Sequence, residues 1–372
     1  MKFVVFAEDW GSHPSSTQHL FKLISQNHEV VWFNSVGMRT PKVNLKDSAR
    51  VVRKLMMMLK KKQSSTPNMA VKNPLLLPWH NSALVCKFNR MQVAKNIDTS
   101  SDEPIIYWLS VPTAINMIHL RPQDKLVYYC GDDFNHLAGV DAELIQSSEK
   151  KLIHKADTIY VASKSLLNQM PAHKTQILEH GVDLTLFTQA QKKHEQLNGH
   201  ENIIGFYGSL SSWLDYELLI KLAKSRPNYT LVLVGKRHLD IQALLAMPNV
   251  IHVNEVAHHE LAKFSKHWHV SILPFVDNAQ IRACNPLKLK EYLAVGTPIV
   301  STRYPAVEAY SDVVFIAQDH QGFIDRVDHA LCVSKSPSLN WRTKALELVK
   351  KHSWQNKVDY VLNQLASEGD IY

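Results

Sequence analysis

Short apolar runs alternate with amphipathic helical patterns along most of the chain, and this alternation restricts the fold more than any other feature of the sequence. Lys2–Ala7 and Glu29–Asn34 read as strands, and Ser16–Ser25 between them has a helical pattern. The same pattern predicts further strands at Ile105–Leu109, Lys125–Cys130 and Thr158–Ala162. Strands separated by helices are typical of βαβ units, whose strands lie side by side in a parallel sheet.

The alternation is interrupted once and then starts again. Leu186–Glu201 is polar and has no apolar period, so we interpret it as a linker or a surface excursion between domains. New strands are predicted at Ile203–Tyr207 and Thr230–Val234, and a helix at Pro286–Val295. Because one hydrophobic core rarely grows beyond about 250–300 residues, a chain of 372 residues favours two domains. We predict an α/β fold with two doubly wound, Rossmann-like domains at residues 1–188 and 189–352, and a C-terminal helix at 353–372 that packs back on the first domain.

The composition argues against several classes of protein. Four cysteines lie far apart without a CxxC pair, which argues against a disulfide scaffold or a zinc site and is consistent with a reducing compartment. The N-terminal apolar run, Phe3–Ala7, is too short for a signal peptide, and no segment reaches the roughly 18 apolar residues that span a bilayer. The formal net charge of +8 favours anionic partners. We therefore expect a cytoplasmic protein.

One region, Arg39–Lys62, concentrates nine basic residues against a single acid, Asp47. Val51, Leu55 and Leu59 give the region an apolar side. A basic amphipathic helix can lie on an anionic bilayer surface and would bring the protein to the inner face of the cell membrane. A solvated helix packed on the first domain is the alternative interpretation. Nucleic acid is not an expected partner, because the region lacks interleaved aromatic residues and the chain has no recognisable nucleic-acid-binding module.

The segment 285–301 has the pattern of a helix followed by a strand. Pro286 is a favoured first-turn residue, and Gly296 suits the position directly after the last helical turn. Lys288 and Glu291 are three residues apart and therefore share one face near the helix N-terminus. That end attracts phosphate through its free N–H groups and its dipole, and a carboxylate beside it can accept two sugar hydroxyl groups. The segment thus combines residue types that suit a nucleotide.

The sequence PLKLKEYLAVGTPIVS in this segment resembles the nucleotide-sugar motif in the C-terminal domain of GT-B glycosyltransferases, especially the family 4-like enzymes of glycosyltransferase group 1. The resemblance implies two Rossmann-like domains that face each other across a cleft. It implies that Glu291 binds the ribose of the donor nucleotide, and that Pro286, Leu287 and Lys288 at the helix N-terminus face the diphosphate. GT-B enzymes generally need no metal ion, so we expect no metal and no cofactor other than the donor substrate.

Other stretches resemble the same family in the same order along the chain. Ile203–Leu210 resembles its first C-domain strand and glycine turn, where Gly208 and Ser209 would approach the donor. Leu231–Lys236 resembles the next strand and turn, with Lys236 beside the diphosphate. Two N-domain stretches also resemble the family. His180–Asp183 resembles the segment at the end of its N-domain, and Tyr129–Phe134 resembles a bacterial surface-polysaccharide subgroup.

The chain departs from the family pattern in two places. Many retaining members carry two glutamates with seven residues between them, and Ala283 stands where the first of them would precede Glu291. The Arg and Lys that usually follow the first C-domain strand are also absent. Arg282, Lys236 and Lys288 are candidates to supply the positive charge instead. The resemblance still favours retention at the anomeric carbon.

Three residues are predicted on the acceptor side of the reaction. Asp9 and His13 follow the first strand, and Asp132 follows the strand LVYYC. Ligands of α/β sheets bind beyond the carboxyl ends of the strands. In an inverting enzyme Asp9 or His13 could act as a general base towards an acceptor hydroxyl. Asp132 and its neighbour Asp133 could bind a metal ion or sugar hydroxyl groups, of which we favour the hydroxyl groups. Loop or helix capping for the aspartates and simple exposure for His13 are the alternatives. His258 and His259 are interpreted as surface or packing residues rather than as metal ligands.

The resemblance implies a glycosyltransferase that moves a sugar from a UDP- or GDP-linked donor to a glycan or a lipid-linked glycan in surface polysaccharide synthesis. Its partners would be the nucleotide sugar and the acceptor. An epimerase or a phosphorylase on the GT-B fold is one alternative, although we find no signal for a pyridoxal phosphate lysine. A non-catalytic protein that binds nucleotide sugars or polyanions is the other.

Overall fold

In this computed structural model the chain is described at residues 1–12, 15–34, 68–79, 82–134, 141–335 and 340–367. Internal contacts divide the chain into two units. Unit 1 contains residues 1–179 together with the C-terminal residues from Val358, and unit 2 contains residues 180–357. The sequence pattern places the boundaries after residues 188 and 352, whereas in the structure unit 2 starts at His180 and ends at Lys357.

Unit 1 contains a parallel sheet of seven strands within its described residues. They are β1 (Lys2–Phe6), β2 (Glu29–Phe33), β3 (Met69–Lys72), β4 (Ile105–Leu109), β5 (Lys125–Cys130), β6 (Thr158–Val161) and β7 (Thr175–Ile177). Their order is β3-β2-β1-β4-β5-β6-β7, so the strand order reverses between β1 and β4. The strands are rich in β-branched and aromatic residues, which suit a sheet covered on both faces.

Helices of unit 1 begin at polar capping residues. They are α1 (Ser16–Ile24), α2 (Ala83–Ala94), α3 (Ala142–Lys155) and α4 (Lys164–Leu167). The side chain of Ser15 accepts a hydrogen bond from the N–H of Gln18, and that of Asp141 accepts one from the N–H of Leu144. Such caps satisfy donors that have no partner within the helix, so they set where each helix starts.

Aromatic side chains fill the core of unit 1. The rings of Trp108 and Tyr160 are stacked with centroids 5.7 Å apart, and Phe21 meets Trp108 edge-on at 5.4 Å. All three side chains are fully buried. Burial of a large apolar side chain stabilises the fold by about 1.5–3 kcal/mol, so this cluster gives the carboxyl edge of the sheet a rigid support.

Unit 2 repeats the architecture with six parallel strands among its described residues. They are β8 (Ile203–Tyr207), β9 (Thr230–Val234), β10 (Val250–Val253), β11 (Val270–Leu273), β12 (Ile299–Thr302) and β13 (Phe315–Ala317). Their order is β10-β9-β8-β11-β12-β13, and the reversal lies between β8 and β11. The predicted α/β class with two doubly wound, Rossmann-like domains is therefore confirmed.

The first helix of unit 2 overlaps the segment that the sequence analysis interprets as a linker. They are α5 (Leu184–Thr188), α6 (Tyr216–Ser225), α7 (Gln242–Leu245), α8 (Ala262–Ser265), α9 (Ala279–Ala283), α10 (Leu287–Val295), α11 (Pro305–Glu308), α12 (His320–Lys335) and α13 (Asn340–Lys350). The interpretation of Leu186–Glu201 as a linker is wrong, because Phe187 and Leu197 are fully buried in the core of unit 2. Two apolar anchors among polar residues are too few to produce a periodic pattern.

The last helix, α14 (Trp354–Ser367), begins in unit 2 and contributes its residues from Val358 to unit 1. There the ring of Tyr360 lies 6.3 Å from that of Tyr160, and its hydroxyl bonds to Gln176. Over the part of the chain that the structure describes, none of the helices combines the length and apolarity needed to cross a bilayer.

Candidate functional site

Two glycines follow neighbouring strands of unit 2 at their carboxyl ends. Gly208 follows β8 and Gly235 follows β9, with φ angles of 134° and 149° that L side chains rarely adopt. The N–H of Gly208 donates to the carbonyl of Val234 at 2.9 Å, so the two turns run side by side. A Cβ atom at Gly235 would lie 2.0 Å from the carbonyl oxygen of Gly208. Only glycine permits this approach of the two backbones.

Lys288 lies over the first of these turns. A Cβ atom at Gly208 would lie 2.7 Å from Cε of Lys288 and 3.1 Å from its Nζ. The Nζ atom is 5.6 Å from the ring centroid of Phe206 and 5.8 Å from that of Phe275. Among the described residues, Nζ has no hydrogen-bond acceptor and no ion-pair partner. Removal from water lowers the pKa of Lys288, although the negative charge of Glu291 acts in the opposite direction.

Helix α10 brings its N-terminus to the same turn. Pro286 occupies the N-cap position, and its carbonyl accepts a hydrogen bond of 3.2 Å from the N–H of Leu289. The N–H groups of the first helical turn precede the intrahelical bonds and carry the positive end of the helix dipole. The helix ends at Gly296, as its sequence predicts. The ammonium group and the helix end together make the edge of the sheet suitable for an anion.

Glu291 lies one turn further along α10, and 4% of its surface is exposed. Its Oε2 accepts a hydrogen bond of 2.7 Å from the hydroxyl of Tyr207, and its Oε1 lies 2.7 Å from Nε2 of His258. Burial by itself would raise the pKa of Glu291, but the hydrogen bonds and charge supplied by His258 and Tyr207 hold that pKa below its ordinary value. Glu291 is therefore an ionised carboxylate that joins β8 and the loop after β10 to α10.

His258 is a site residue that the sequence analysis missed. The sequence analysis interprets it as a surface or packing residue; its ring does pack edge-on against Phe187 at 5.7 Å, and its imidazole also binds Glu291. The signal that could have found it is its position. His258 follows β10 at the same carboxyl edge of the sheet as Gly208 and Gly235.

The other predicted donor-site residues have different surroundings. Ser209 is half-buried directly after Gly208, and Lys236 is exposed directly after Gly235. Arg282 forms two hydrogen bonds with Asp277, at 2.6 and 2.8 Å, on the surface of the protein. This pairing neutralises the charge that the sequence analysis assigns to donor phosphate. Leu287, the last member of the predicted set, is half-buried in the first turn of α10.

In unit 1, the loop after β1 is held by the beginning of α1. The carbonyl of Asp9 accepts a hydrogen bond of 3.3 Å from the side chain of Gln18, and the carboxylate of Asp9 is exposed. The hydroxyl of Ser15 donates to the carboxylate of Glu8, whose pKa is raised by burial. His13, the second residue predicted for this loop, lies outside the described residues.

Asp132 follows β5 at the same edge of the sheet in unit 1. Its Oδ1 accepts a hydrogen bond of 2.9 Å from the N–H of Asp133. Burial outweighs this bond and raises the pKa of Asp132 to about 6. Burial also raises the pKa of Tyr129, and the charges of Glu8 and Asp132 raise it further. A carboxyl group that titrates close to neutral pH is suited to proton transfer.

Two further predictions concern metal ions and membranes. Within the described ranges, no group of three or more His, Cys, Asp or Glu side chains is arranged to hold a metal ion. Arg39–Lys62, predicted as a membrane contact, lies outside those ranges.

Comparison with known proteins gives a family match for the domain that carries the glycine turns and α10. Residues 187–330, which lie within unit 2, match the model of the family described as glycosyl transferases group 1. A Bacillus subtilis (strain 168) protein, TuaH, named provisionally as a teichuronic acid biosynthesis glycosyltransferase, is 27% identical over 229 residues. The match spans 56% of this chain and 58% of the length of that relative.

Solved structures resemble the chain along nearly its whole length. Sucrose-phosphate synthase from Thermosynechococcus elongatus gives a TM-score of 0.71 at 14% identity, with 99% of both chains covered. HepE from Anabaena, solved in complex with UDP and glucose, gives a TM-score of 0.68 at 13% identity, with 99% of this chain and 100% of that chain covered. At these identities the likeness establishes the fold. The chain has the GT-B fold, and residues 187–330 of unit 2 are similar to the group 1 glycosyl transferases.

Proposed function

We propose that the protein transfers a sugar from a nucleoside-diphosphate sugar, UDP- or GDP-linked, to a hydroxyl group of a glycan or lipid-linked glycan in bacterial surface polysaccharide synthesis. The Bacillus relative is named for teichuronic acid biosynthesis, which supports the class of product. HepE was solved with UDP and glucose, which favours UDP over GDP.

The observation that carries the proposal is the unpaired ammonium group of Lys288 beside Gly208 and the N-terminus of α10. A diphosphate at this edge of the sheet would meet a positive charge, free N–H groups and a glycine turn that lets it approach the backbone. No anionic side chain among the described residues contacts Nζ. The bound anion would therefore be the partner that this cation lacks.

We assign the ribose of the donor to Glu291. The carboxylate uses one acceptor position on each oxygen for Tyr207 and His258, and each oxygen of an ionised carboxylate has a second. The ribose hydroxyl groups can therefore donate to Glu291 while both existing hydrogen bonds remain. Because Tyr207 and His258 fix the orientation of the carboxylate, the Glu291 side chain loses little conformational entropy when the ligand binds.

In the reaction, the bond between the anomeric carbon and the diphosphate oxygen breaks, and the acceptor oxygen forms the new bond to that carbon. Lys288 and the N–H groups of α10 stabilise the negative charge that develops on the departing diphosphate. We propose that Asp132 binds the acceptor hydroxyl group in unit 1. We also propose retention at the anomeric carbon, in which the acceptor proton passes to the departing diphosphate. Inversion would instead require Asp132 to take that proton.

Titration calorimetry with UDP, GDP and ADP tests the donor site. Lys288→Met is the variant, and Lys224→Met, which removes an exposed lysine of α6, is the matched control. We expect the wild type and the control to bind one nucleoside diphosphate, and Lys288→Met to bind it at least tenfold more weakly. If the folded wild type binds none of the three, the proposal is wrong. Proton NMR of a product formed from the matching nucleotide sugar then decides between retention and inversion.

A further inference from the structure

The contacts of Glu291 and Lys288 give the proposed donor a direction along the edge of the unit 2 sheet. Glu291 binds the last residue of β8 and His258 in the segment after β10. Nζ of Lys288 lies near the rings of Phe206 in β8 and Phe275 in the loop after β11. Because the strand order is β10-β9-β8-β11, a nucleotide with its ribose at the first residue and its diphosphate at the second runs towards β11. The sugar beyond the diphosphate therefore lies at the carboxyl ends of β8 and β11.

This place is the switch point of the sheet, where the strand order reverses between β8 and β11. In open α/β sheets, ligands bind in the crevice beyond the carboxyl ends of the strands at such a point. Two loops border the crevice in unit 2. Residues 208–215 connect β8 to α6, and residues 274–278 connect β11 to α9.

Trp213, in the first of these loops, is tied through its backbone to the second. Its carbonyl accepts a hydrogen bond of 3.0 Å from the N–H of Val276. The next residue, Leu214, pairs antiparallel with Phe275. The ring centroid of Phe275 is 5.8 Å from Nζ of Lys288. The backbone of Trp213 is therefore held in place beside the proposed position of the diphosphate.

The side chains of the loop after β8 suit a neutral ligand that is rich in hydroxyl groups. Residues 209–214 read Ser-Leu-Ser-Ser-Trp-Leu and carry no charge. Ser209, Ser211 and Ser212 are at least partly exposed, and their hydroxyl groups have no hydrogen-bond partner among the described residues. A phosphate group would call for cations here, whereas hydroxyl groups can donate to and accept from a sugar.

Trp213 adds an apolar surface to these hydroxyl groups. Its side chain is half-buried, because it packs in part against the core of unit 2 and leaves the rest open to solvent. Within the part of the chain that the structure describes, its indole N–H has no acceptor. A Trp side chain combines a large apolar body with one polar donor. Those two properties match a sugar ring, which has an apolar C–H face and hydroxyl groups at its rim.

We propose that Trp213 binds the transferred sugar of the donor and contributes to the choice of that sugar. The apolar face of the sugar packs on the open part of the indole ring, and the indole N–H donates to a sugar hydroxyl group. This role rests on the proposed function, because it takes the diphosphate to lie at Lys288. Since the backbone of Trp213 is already held by the loop after β11, the loop loses little conformational entropy when the sugar binds.

Titration calorimetry with UDP, UDP-glucose, UDP-N-acetylglucosamine and UDP-glucuronate tests the proposal, because only the last three ligands carry a sugar. Trp213→Ala is the variant. Trp341→Ala is the matched control, since Trp341 on α13 is also half-buried against the core of unit 2. We expect Trp213→Ala to bind UDP within about twofold of the wild type and the preferred UDP sugar about tenfold more weakly, as loss of one buried apolar contact predicts. The control should bind every ligand as the wild type does.

Trp213→Phe separates the ring from its N–H group. It keeps an apolar ring without a donor, so its affinity for the UDP sugar should lie between those of the wild type and Trp213→Ala. If the wild type selects GDP, then GDP and GDP-mannose replace the uridine ligands.

Three outcomes overturn the proposal. Trp213→Ala binds the nucleotide sugar as the wild type does, it loses affinity equally for the nucleotide and the nucleotide sugar, or the wild type binds the nucleotide but none of its sugar conjugates. An equal loss would mean that Trp213 only supports the fold, and circular dichroism and thermal unfolding of both Trp variants check for that. A folded wild type that binds no nucleoside diphosphate contradicts the proposed function itself.

Discussion

Nε2 of His258 lies 2.7 Å from Oε1 of Glu291, and this contact joins the loop after β10 to helix α10. Tyr207, the last residue of β8, binds the other oxygen of the same carboxylate. Three segments of unit 2 therefore meet at one buried charge. Glu291 has a structural role as well as its proposed role in binding ribose, and the two roles can be separated by experiment.

Glu291→Ala is expected to lower the free energy of unfolding by about 1–3 kcal/mol, because it removes the acceptor of the buried Tyr207 hydroxyl and the carboxylate that binds the partly buried imidazole of His258. Glu308→Ala is the matched control, since Glu308 is about half exposed and forms a surface ion pair with Arg303. Such pairs contribute about 0–1 kcal/mol. Urea unfolding of both variants measures the difference. Equal losses would show that Glu291 does not join these segments.

The contribution of Glu291 should depend on pH. Its pKa is lower in the folded protein than the ordinary value of 4.5, so the stability it provides is present above pH 4.5 and is lost as the pH falls through the folded value. Glu291→Gln does not titrate. The difference in free energy of unfolding between the wild type and Glu291→Gln should therefore shrink as the pH falls below 4.5. A difference that grows on acidification would contradict the assigned ionisation.

Gly208→Ala should weaken nucleotide binding at least tenfold, whereas its free energy of unfolding should fall by only about as much as that of a control glycine variant. The added methyl group would displace the Lys288 side chain, which is flexible and can move away from the proposed diphosphate position. Gly199→Ala is the control, because Gly199 also has a positive φ angle, of 77°, but no atom within 4 Å of the added methyl group. Both variants should lose about 1 kcal/mol of stability through backbone strain. In calorimetry, only Gly208→Ala should bind the nucleoside diphosphate at least tenfold more weakly.

Gly235→Ala should instead be a folding defect. Its methyl group would lie 2.0 Å from the carbonyl oxygen of Gly208, and the backbone of a turn that is hydrogen-bonded to Val234 of β9 cannot move aside as a lysine side chain can. We expect a loss of about 3 kcal/mol or more, against about 1 kcal/mol for Gly199→Ala. Thermal unfolding of the two variants compares them directly. Similar melting temperatures would mean that the two turns are less closely packed than the structure indicates.

The local features of the site were predictable from the sequence, whereas the hydrogen bonds between residues distant in the sequence were not. The helix α10, its end at Gly296 and the glycine turns follow from residue preferences within a few positions. His258 is 33 residues from Glu291, and neither residue signals the other until the sheet order brings β10 and β8 to one edge. The charge of Arg282 makes it a candidate for phosphate in the sequence, but its hydrogen bonds with Asp277 depend on how the chain enters α9.

Asp132 gives a pH dependence of the opposite sign to that of Glu291. Burial raises its pKa from 3.8 to about 6, so the folded state favours the neutral form. The stability associated with this group is present below pH 3.8 and is lost as the pH rises through about 6.

Asp132→Asn remains neutral and should gain stability relative to the wild type as the pH rises. The gain should reach about 1–3 kcal/mol at pH 8, because one pKa unit corresponds to about 1.4 kcal/mol and the side chain is only partly buried. Urea unfolding at pH 4 and pH 8 measures it. A gain that is the same at both values would mean that Asp132 is not removed from water, and its suitability for proton transfer near neutral pH would lose its basis.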